Sequence, residues 1–315
     1  MIPYPDLALE LLDRGVDPTL RDETDDEESA LELACMGDDA ELLDTILKKV
    51  GNPTKPNKYG DSLLHIACRA KMPNENIVKR ILSLGINADA HGQHGHLPLI
   101  SAIENSKTEI AILLLDSGAR PDKEGGTLRV TQYQITAMHM AIWSQNLNVL
   151  ARIAETSPNW DIRVRCPLKL ERIAPRLETW PFTDVHCLHF AAHSPSTDGL
   201  RFLLRQCPKS INCRTAEGQT PMHIAAMVGN IEAAQILVDE GAEVGIQDRH
   251  GCTPLHYAVE TGKRELVLVL LQGGSPQIAD KFGITPELFA FMEQKPEIVE
   301  VLREWPTMHG KLGCT

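Results

Sequence analysis

GQTPMHIAAMVGN, residues 218–230, and GCTPLHYAVETGK, residues 251–263, decide the fold, because one thirteen-residue pattern recurs after 33 positions. Within each copy Thr220 or Thr253 places a hydroxyl at a helix N-cap, and Pro221 or Pro254 follows at the first helical position, where a missing N–H costs nothing. A helix therefore starts at each Thr-Pro, and Thr285-Pro286 repeats the signal. About ten residues on, a second apolar pattern such as IEAAQILVDEGA begins and ends at a glycine suited to the left-handed position after a helix. Gly118, Gly241 and Gly274 each lie 16 residues after the alanine of their own motif.

Working outward, equivalents occur at ESALELACMGD (from Glu28), GDSLLHIACRA (Gly60), GHLPLISAIEN (Gly95), QITAMHMAIWS (Gln134), DVHCLHFAAHS (Asp184) and GITPELFAFME (Gly283). The motif alanine falls at 34, 67, 102, 141, 191, 225, 258 and 290, giving spacings of 33, 35, 39, 50, 34, 33 and 32. A period in this range indicates stacked helix-turn-helix units, none of which can bury its apolar face without its neighbours. Small residues such as Ala225 and Ala258 let the two helices of a unit approach closely.

The T-P-L-H-x-A motif followed by L-L-x-x-G-A resembles the ankyrin-repeat pattern over nearly the whole chain. The resemblance implies an all-α curved solenoid, L-shaped in section, with β-hairpin fingers projecting from one end of the helix stack. It also implies a concave groove, formed by finger tips and exposed positions of the first helices, that binds other proteins. Residues 1–315 are expected to form one array: a half-repeat cap at 1–22, N-terminal repeats at 23–157, a long finger insertion at 158–183, and C-terminal repeats with a cap at 184–315.

Departures from the pattern carry expectations of their own. Glu32, Ile100 and Leu288 replace the motif histidine and are expected to lose the inter-repeat hydrogen bonding that His139 or His223 should make. Residues 1–22 read as a second helix and turn without a first helix, which suits either an improvised cap or a piece of a longer protein. The C-terminal PEIVEVLREW is expected to close the stack with its charges outward.

Spacings of 39 and 50 place extra residues in two finger links, and loops on a rigid scaffold are where function concentrates. The longer insertion holds Arg163, Arg165, Lys169, Arg172 and Arg176 together with Trp160, Trp180 and Phe182. Alternation of Trp160, Ile162 and Val164 with Arg163 and Arg165 reads as a short strand with one polar face. Arg and Trp are enriched where binding energy concentrates, so the segment reads as a docking arm for an acidic or aromatic-bearing partner. The alternative is an arm packed on its own helices.

Mapping the family's exposed positions by motif register gives a partner-binding groove of Tyr59, Arg69, His94, His96, Tyr133, Trp143, Phe182, His193, Met227, Arg249, His250 and Phe282, joined by Trp160, Arg163, Arg165 and Trp180 of the insertion. Tyr133, Trp143 and Phe182 are expected to form one patch. The leading reading is thus a non-catalytic adaptor or scaffold for a protein partner, acidic where it meets residues 160–182. Two others stand beside it: a small-molecule binder or enzyme with a central pocket at Tyr133, His139, Trp143, His189 and His193, and a targeting region of a multidomain protein.

His186, His189 and His193 share a helical face, and His91, His94 and His96 share a finger link; structural bonding and a solvent-exposed turn outweigh metal binding, so no metal or cofactor is expected. The acidic run 22–28 reads as a solvated finger. No P-loop, G-x-S-x-G or dinucleotide fingerprint occurs, so no catalytic residue is assigned. The 315 residues carry 31 Lys plus Arg against 43 Asp plus Glu, net −12, which disfavours phosphate backbones. With 43% hydrophobic residues a core is within reach. No apolar run approaches a bilayer span, and the N-terminus lacks the pattern of a secretory signal. Eight cysteines without a C-x-x-C pair suit a reducing compartment, cytoplasmic or nuclear, and a monomer is expected.

Overall fold

Thr220 and His223 fix a helix start by reciprocal bonding. In the computed structural model the Thr220 N–H donates to His223 Nδ1 at 3.1 Å, and the His223 N–H donates back to Thr220 Oγ1 at 3.4 Å. With Nδ1 accepting, the proton sits on Nε2, which donates to Cys252 O of the next repeat at 3.2 Å. The same relay runs from His65 to His96 O, from His189 to Gln219 O and from His256 to Ile284 O, each at 3.1 Å. One neutral imidazole thus caps its own helix and fastens the following finger.

The structure describes residues 29–37, 39–50, 53–70, 74–126, 134–156, 158–166 and 182–309, with residues 14, 15 and 17–19. The chain forms two compact units, residues 1–158 and 159–315. In the first, helix pairs follow one another as α1 (Ala30–Met36) and α2 (Ala40–Lys49), α3 (Leu63–Arg69) and α4 (Glu75–Ser83), α5 (Pro98–Glu104) and α6 (Thr108–Asp116), and α7 (Ala137–Trp143) and α8 (Leu147–Glu155). First helices pack on first helices and second on second, which makes two layers around buried Leu64, Ala102, Leu114 and Ala141.

The second unit repeats the plan with α9 (Cys187–His193) and α10 (Asp198–Gln206), α11 (Pro221–Val228) and α12 (Ile231–Asp239), α13 (Pro254–Thr261) and α14 (Arg264–Gln272), and α15 (Pro286–Met292) and α16 (Pro296–His309). Gly241 and Gly274, just past α12 and α14, have φ of +82° and +84°, as the pattern requires. The 14-residue α16 buries Ile298, Val299 and Leu302 and turns Glu297, Glu300, Arg303 and Glu304 to solvent.

Both long spacings resolve into antiparallel hairpins. In the first unit β1 (Glu124–Gly126) pairs with β2 (Gln134–Thr136), Gly125 opposite Ile135. A side chain at Gly125 would lie 2.7 Å from Leu97 Cγ, so the close approach needs glycine. In the second unit β3 (Val164–Cys166) pairs with β4 (Phe182–Val185) through an irregular register. The strand expected to begin at Trp160 starts instead at Val164, because Trp160 and Asp161 form a turn. Of the alternation only the end survives: Val164 is buried, Arg163 and Arg165 exposed, and Ile162 partly exposed.

Glu32 corrects another expectation. Its Oε2 accepts from the Ser29 N–H at 2.9 Å, and its Oε1 accepts from Asn57 Nδ2, 25 residues on, at 2.7 Å. A carboxylate therefore performs both duties of the missing histidine. Ile100 fills the same position as an apolar side chain at 1% exposure, whereas Leu288 is left 45% exposed. Glu32→Ala strips partners from two polar groups and should destabilise the first unit by about 2 kcal/mol; Glu32→His should recover part of that. Urea melts of the three proteins check this, and an unchanged midpoint in Glu32→Ala would contradict it. Most of the half-repeat read at 1–22, and the whole acidic run 22–28, lie outside the described residues.

Candidate functional site

Finger tips sit immediately before the motif glycines, and main-chain bonds join successive tips in the second unit. The Ala216 N–H donates to Thr183 O (2.9 Å), the Arg249 N–H to Glu217 O (2.8 Å) and the Lys281 N–H to His250 O (3.0 Å). Gly251 shows why the turn tolerates no side chain: its φ is +80°, and an added Cβ would stand 2.7 Å from the Lys281 nitrogen. This backbone ladder holds Glu217, Arg249, His250, Lys281 and Phe282 along one edge, with Phe282 80% exposed. Arg249 pairs with Glu217 at 3.3 Å, an ion pair open to solvent on both sides.

The base of the long insertion is tied to the same edge. Arg163 donates to Arg214 O at 2.9 Å. Asp161 accepts from the Ser210 hydroxyl at 2.7 Å and lies 3.6 Å from His186 Nε2. The Ser210 bond is the main cause holding the Asp161 carboxyl below the usual range. Burial, and secondarily the Arg163 charge, brings His186 down to about 4. Trp160 meets Phe202 of α10 edge-on, with ring centroids 6.3 Å apart, so it packs on the unit's own helix. Arg163, Arg214, Arg249 and Lys281 thus put positive charge on successive links of an acidic chain.

Other members of the expected groove are distributed differently. Met227 is 3% exposed and His96 5%. Both expectations of an exposed position are corrected: Met227 is held in the buried face of α11, and His96 is drawn inward where its carbonyl accepts from His65. Arg69 is committed to the buried Asp61 at 2.6 Å, whose other oxygen accepts from the Gln93 N–H. Tyr59 is 38% exposed beneath the Lys58 ammonium, 4.9 Å from the ring centroid. Trp143 is 48% exposed, and His193 is partly exposed at the end of α9. Tyr133, Trp180 and the side chains of His94 and Phe182 lie outside the described residues, and with them the proposed Tyr133/Trp143/Phe182 patch.

Two of the histidines read as lining a central pocket, His139 and His189, are buried. His139 is fully buried with Nδ1 2.7 Å from Thr136 Oγ1, and His189 is fully buried with both nitrogens engaged by backbone. His186 Nδ1 likewise accepts from the Leu188 N–H. Among the described residues no three His, Cys, Asp or Glu side chains are grouped to hold a metal ion, and no helix is long and apolar enough to cross a membrane. Sequence reasoning missed Arg214, Glu217 and Lys281. For Glu217 and Lys281 the signal was available: they stand one or two places before a finger glycine, as Arg249 and His250 do.

Comparison with known proteins agrees with this architecture. The family model for ankyrin repeats (three copies) matches residues 3–91, 64–164 and 188–281. The E3 ubiquitin-protein ligase KEG of Arabidopsis thaliana is 24% identical over 281 residues, covering 87% of this chain and 16% of the relative. The target of rapamycin complex 2 subunit AVO2 of Saccharomyces cerevisiae is 34% identical over 94 residues, 30% of this chain and 22% of the relative. Ankyrin repeat domain-containing protein 63 of Homo sapiens is 32% identical over 131 residues, 39% and 32% respectively. The chain spans about a third or less of the length of these relatives. With the relay of motif histidines, the paired helices, the finger hairpins and a family match over more than half its length, the chain belongs to the ankyrin-repeat family.

Proposed function

We propose that this protein is a non-catalytic adaptor that binds an acidic segment of a partner protein along the finger edge of residues 159–315. Ankyrin repeats generally mediate protein–protein interaction, and AVO2 is by its name a subunit of a multiprotein complex. The observation that carries the reading is the row of tips: cationic and aromatic side chains project from links whose backbones are already bonded to one another. Little ordering entropy opposes association with such a surface. Positive charge concentrated locally at this edge favours an acidic segment there. Arg165 and His193 extend the same reading within this unit, and Tyr59 and Trp143 are proposed contacts of the first unit. The buried thiols Cys35, Cys68 and Cys187 fit a cytoplasmic or nuclear setting.

The test is affinity capture from native cell extract by the intact protein and by an Arg163→Glu, Arg249→Glu, Phe282→Ala variant in parallel, read by mass spectrometry. All three side chains project from links, so circular dichroism should be unchanged. Proteins with acidic segments should be retained by the intact form, released by raised salt, and depleted about tenfold or more on the variant. Recovery of the same proteins at the same level by both forms would overturn the finger-edge site.

A further inference from the structure

The outer face of the last repeat departs from every other repeat. The residue after the motif alanine is buried throughout, from Cys35 (1% exposed) through Ile103 and Ala226 to Val259 (both latter at 0%), and within each unit the next repeat's first helix packs on this helix. In α15 the same position is Phe291, 66% exposed. Leu288, in the motif-histidine position, is 45% exposed, and Met292 is 57% exposed. Spacings of three and four place these side chains on one helical face. Three large apolar side chains are thus exposed together on this face.

The face leads into a groove of about 910 Å³ between α15 and α16, with Phe291, Met292 and Val299 along its floor and Glu300 and Glu304 on its rim. Its walls are fixed, since Arg303 of α16 pairs with Glu287 of α15 at 2.7 Å. The Lys295 ammonium, which also lines the groove, is turned to the carbonyls of Val259 and Glu260, at 2.7 and 2.5 Å. Apolar floor and acidic rim together specify the occupant.

We infer that this end groove docks a basic amphipathic helix of a partner protein, its apolar stripe on Leu288, Phe291 and Met292 and its Lys or Arg side chains toward Glu300 and Glu304. Within each unit, a helix is the element that covers the same face of the preceding repeats. Positive charge on the occupant follows from the rim and from the net charge of −12, which sets a second copy of this acidic chain against its own like. The site is separate from the finger edge, and it asks for the opposite charge.

The probe is a fluorescein-labelled 18-residue Lys/Leu peptide with its leucines on one helical face, titrated with the whole protein and followed by anisotropy. Binding should weaken at least about tenfold with Phe291→Asp, with Glu300→Lys, and with a scrambled peptide of the same composition. It should persist in the Arg163→Glu, Arg249→Glu, Phe282→Ala variant, which keeps the result independent of the adaptor test. Phe291 and Glu300 are exposed, so both variants should melt as the parent does. Equal affinity for Phe291→Asp, or equal binding of a Glu/Leu peptide, would overturn the inference. So would binding only after residues 310–315 are removed, which would assign the groove to the chain's own end, or a dimer that Phe291→Asp converts to monomer.

Discussion

Lowering the pH from 7 to about 4.5 is expected to unfold the repeats of the second unit. His186, His189 and His223 are each fully buried. Burial is the largest cause bringing His186 and His223 from 6.5 to about 4 and His189 to about 3. In an unfolded chain the same imidazoles take up protons near pH 6.5, so below that pH the unfolded state binds more protons than the folded one. Their stabilisation is complete above pH 6.5 and is lost as the pH falls toward 4 and then 3. At about 1.4 kcal/mol per pH unit, each histidine removes about 2 kcal/mol by pH 5. Three together approach the stability of a typical domain, about 5–15 kcal/mol. The bonding gives the reason: Nδ1 of His189 and of His223 accepts a backbone N–H, and a proton placed there would face a donor. A helical circular-dichroism signal that stays flat to pH 4 would show that these rings are not held neutral.

Leu255→Asp should strongly destabilise the same unit in neutral solution. Leu255 is 0% exposed in α13, which packs against both α11 and α15. Losing the apolar side chain costs about 3 kcal/mol, and a carboxylate without a partner adds several more. Because stability in a repeat array is a sum of nearest-neighbour terms, the damage spreads to adjoining repeats. The expected outcome is a melting midpoint lower by about 10–20 °C, or no cooperative transition. A melt superimposable on the parent's would contradict the assignment of Leu255 to the core.

What could be read in the sequence follows from which interactions are local. Thr220, Pro221, His223 and Gly241 act on backbone within a few residues of themselves, so their spacing announced helix starts and stops correctly. Glu32 was misread because its second partner, Asn57, comes from the following repeat, and no local pattern reveals that a carboxylate can bridge the gap. Met227 and His96 were placed on the surface by register alone, yet burial depends on how closely the neighbouring elements approach. The last repeat illustrates the same limit in reverse: Leu288 was legible as a lost histidine, while the exposure of Phe291 and Met292 depends on what does not pack above them.

The finger ladder has a consequence for how such a protein can change over generations. Its rungs are main-chain N–H and C=O groups, which every residue except proline can supply. Side chains at 217, 249, 250, 281 and 282 can therefore be exchanged widely without touching the bonds that align them, while Gly251 cannot vary. A lineage could retarget this edge from one partner to another by a few surface substitutions, and the cost in folding stability would be close to nil. Selection for new specificity and selection for a stable fold act here on different atoms.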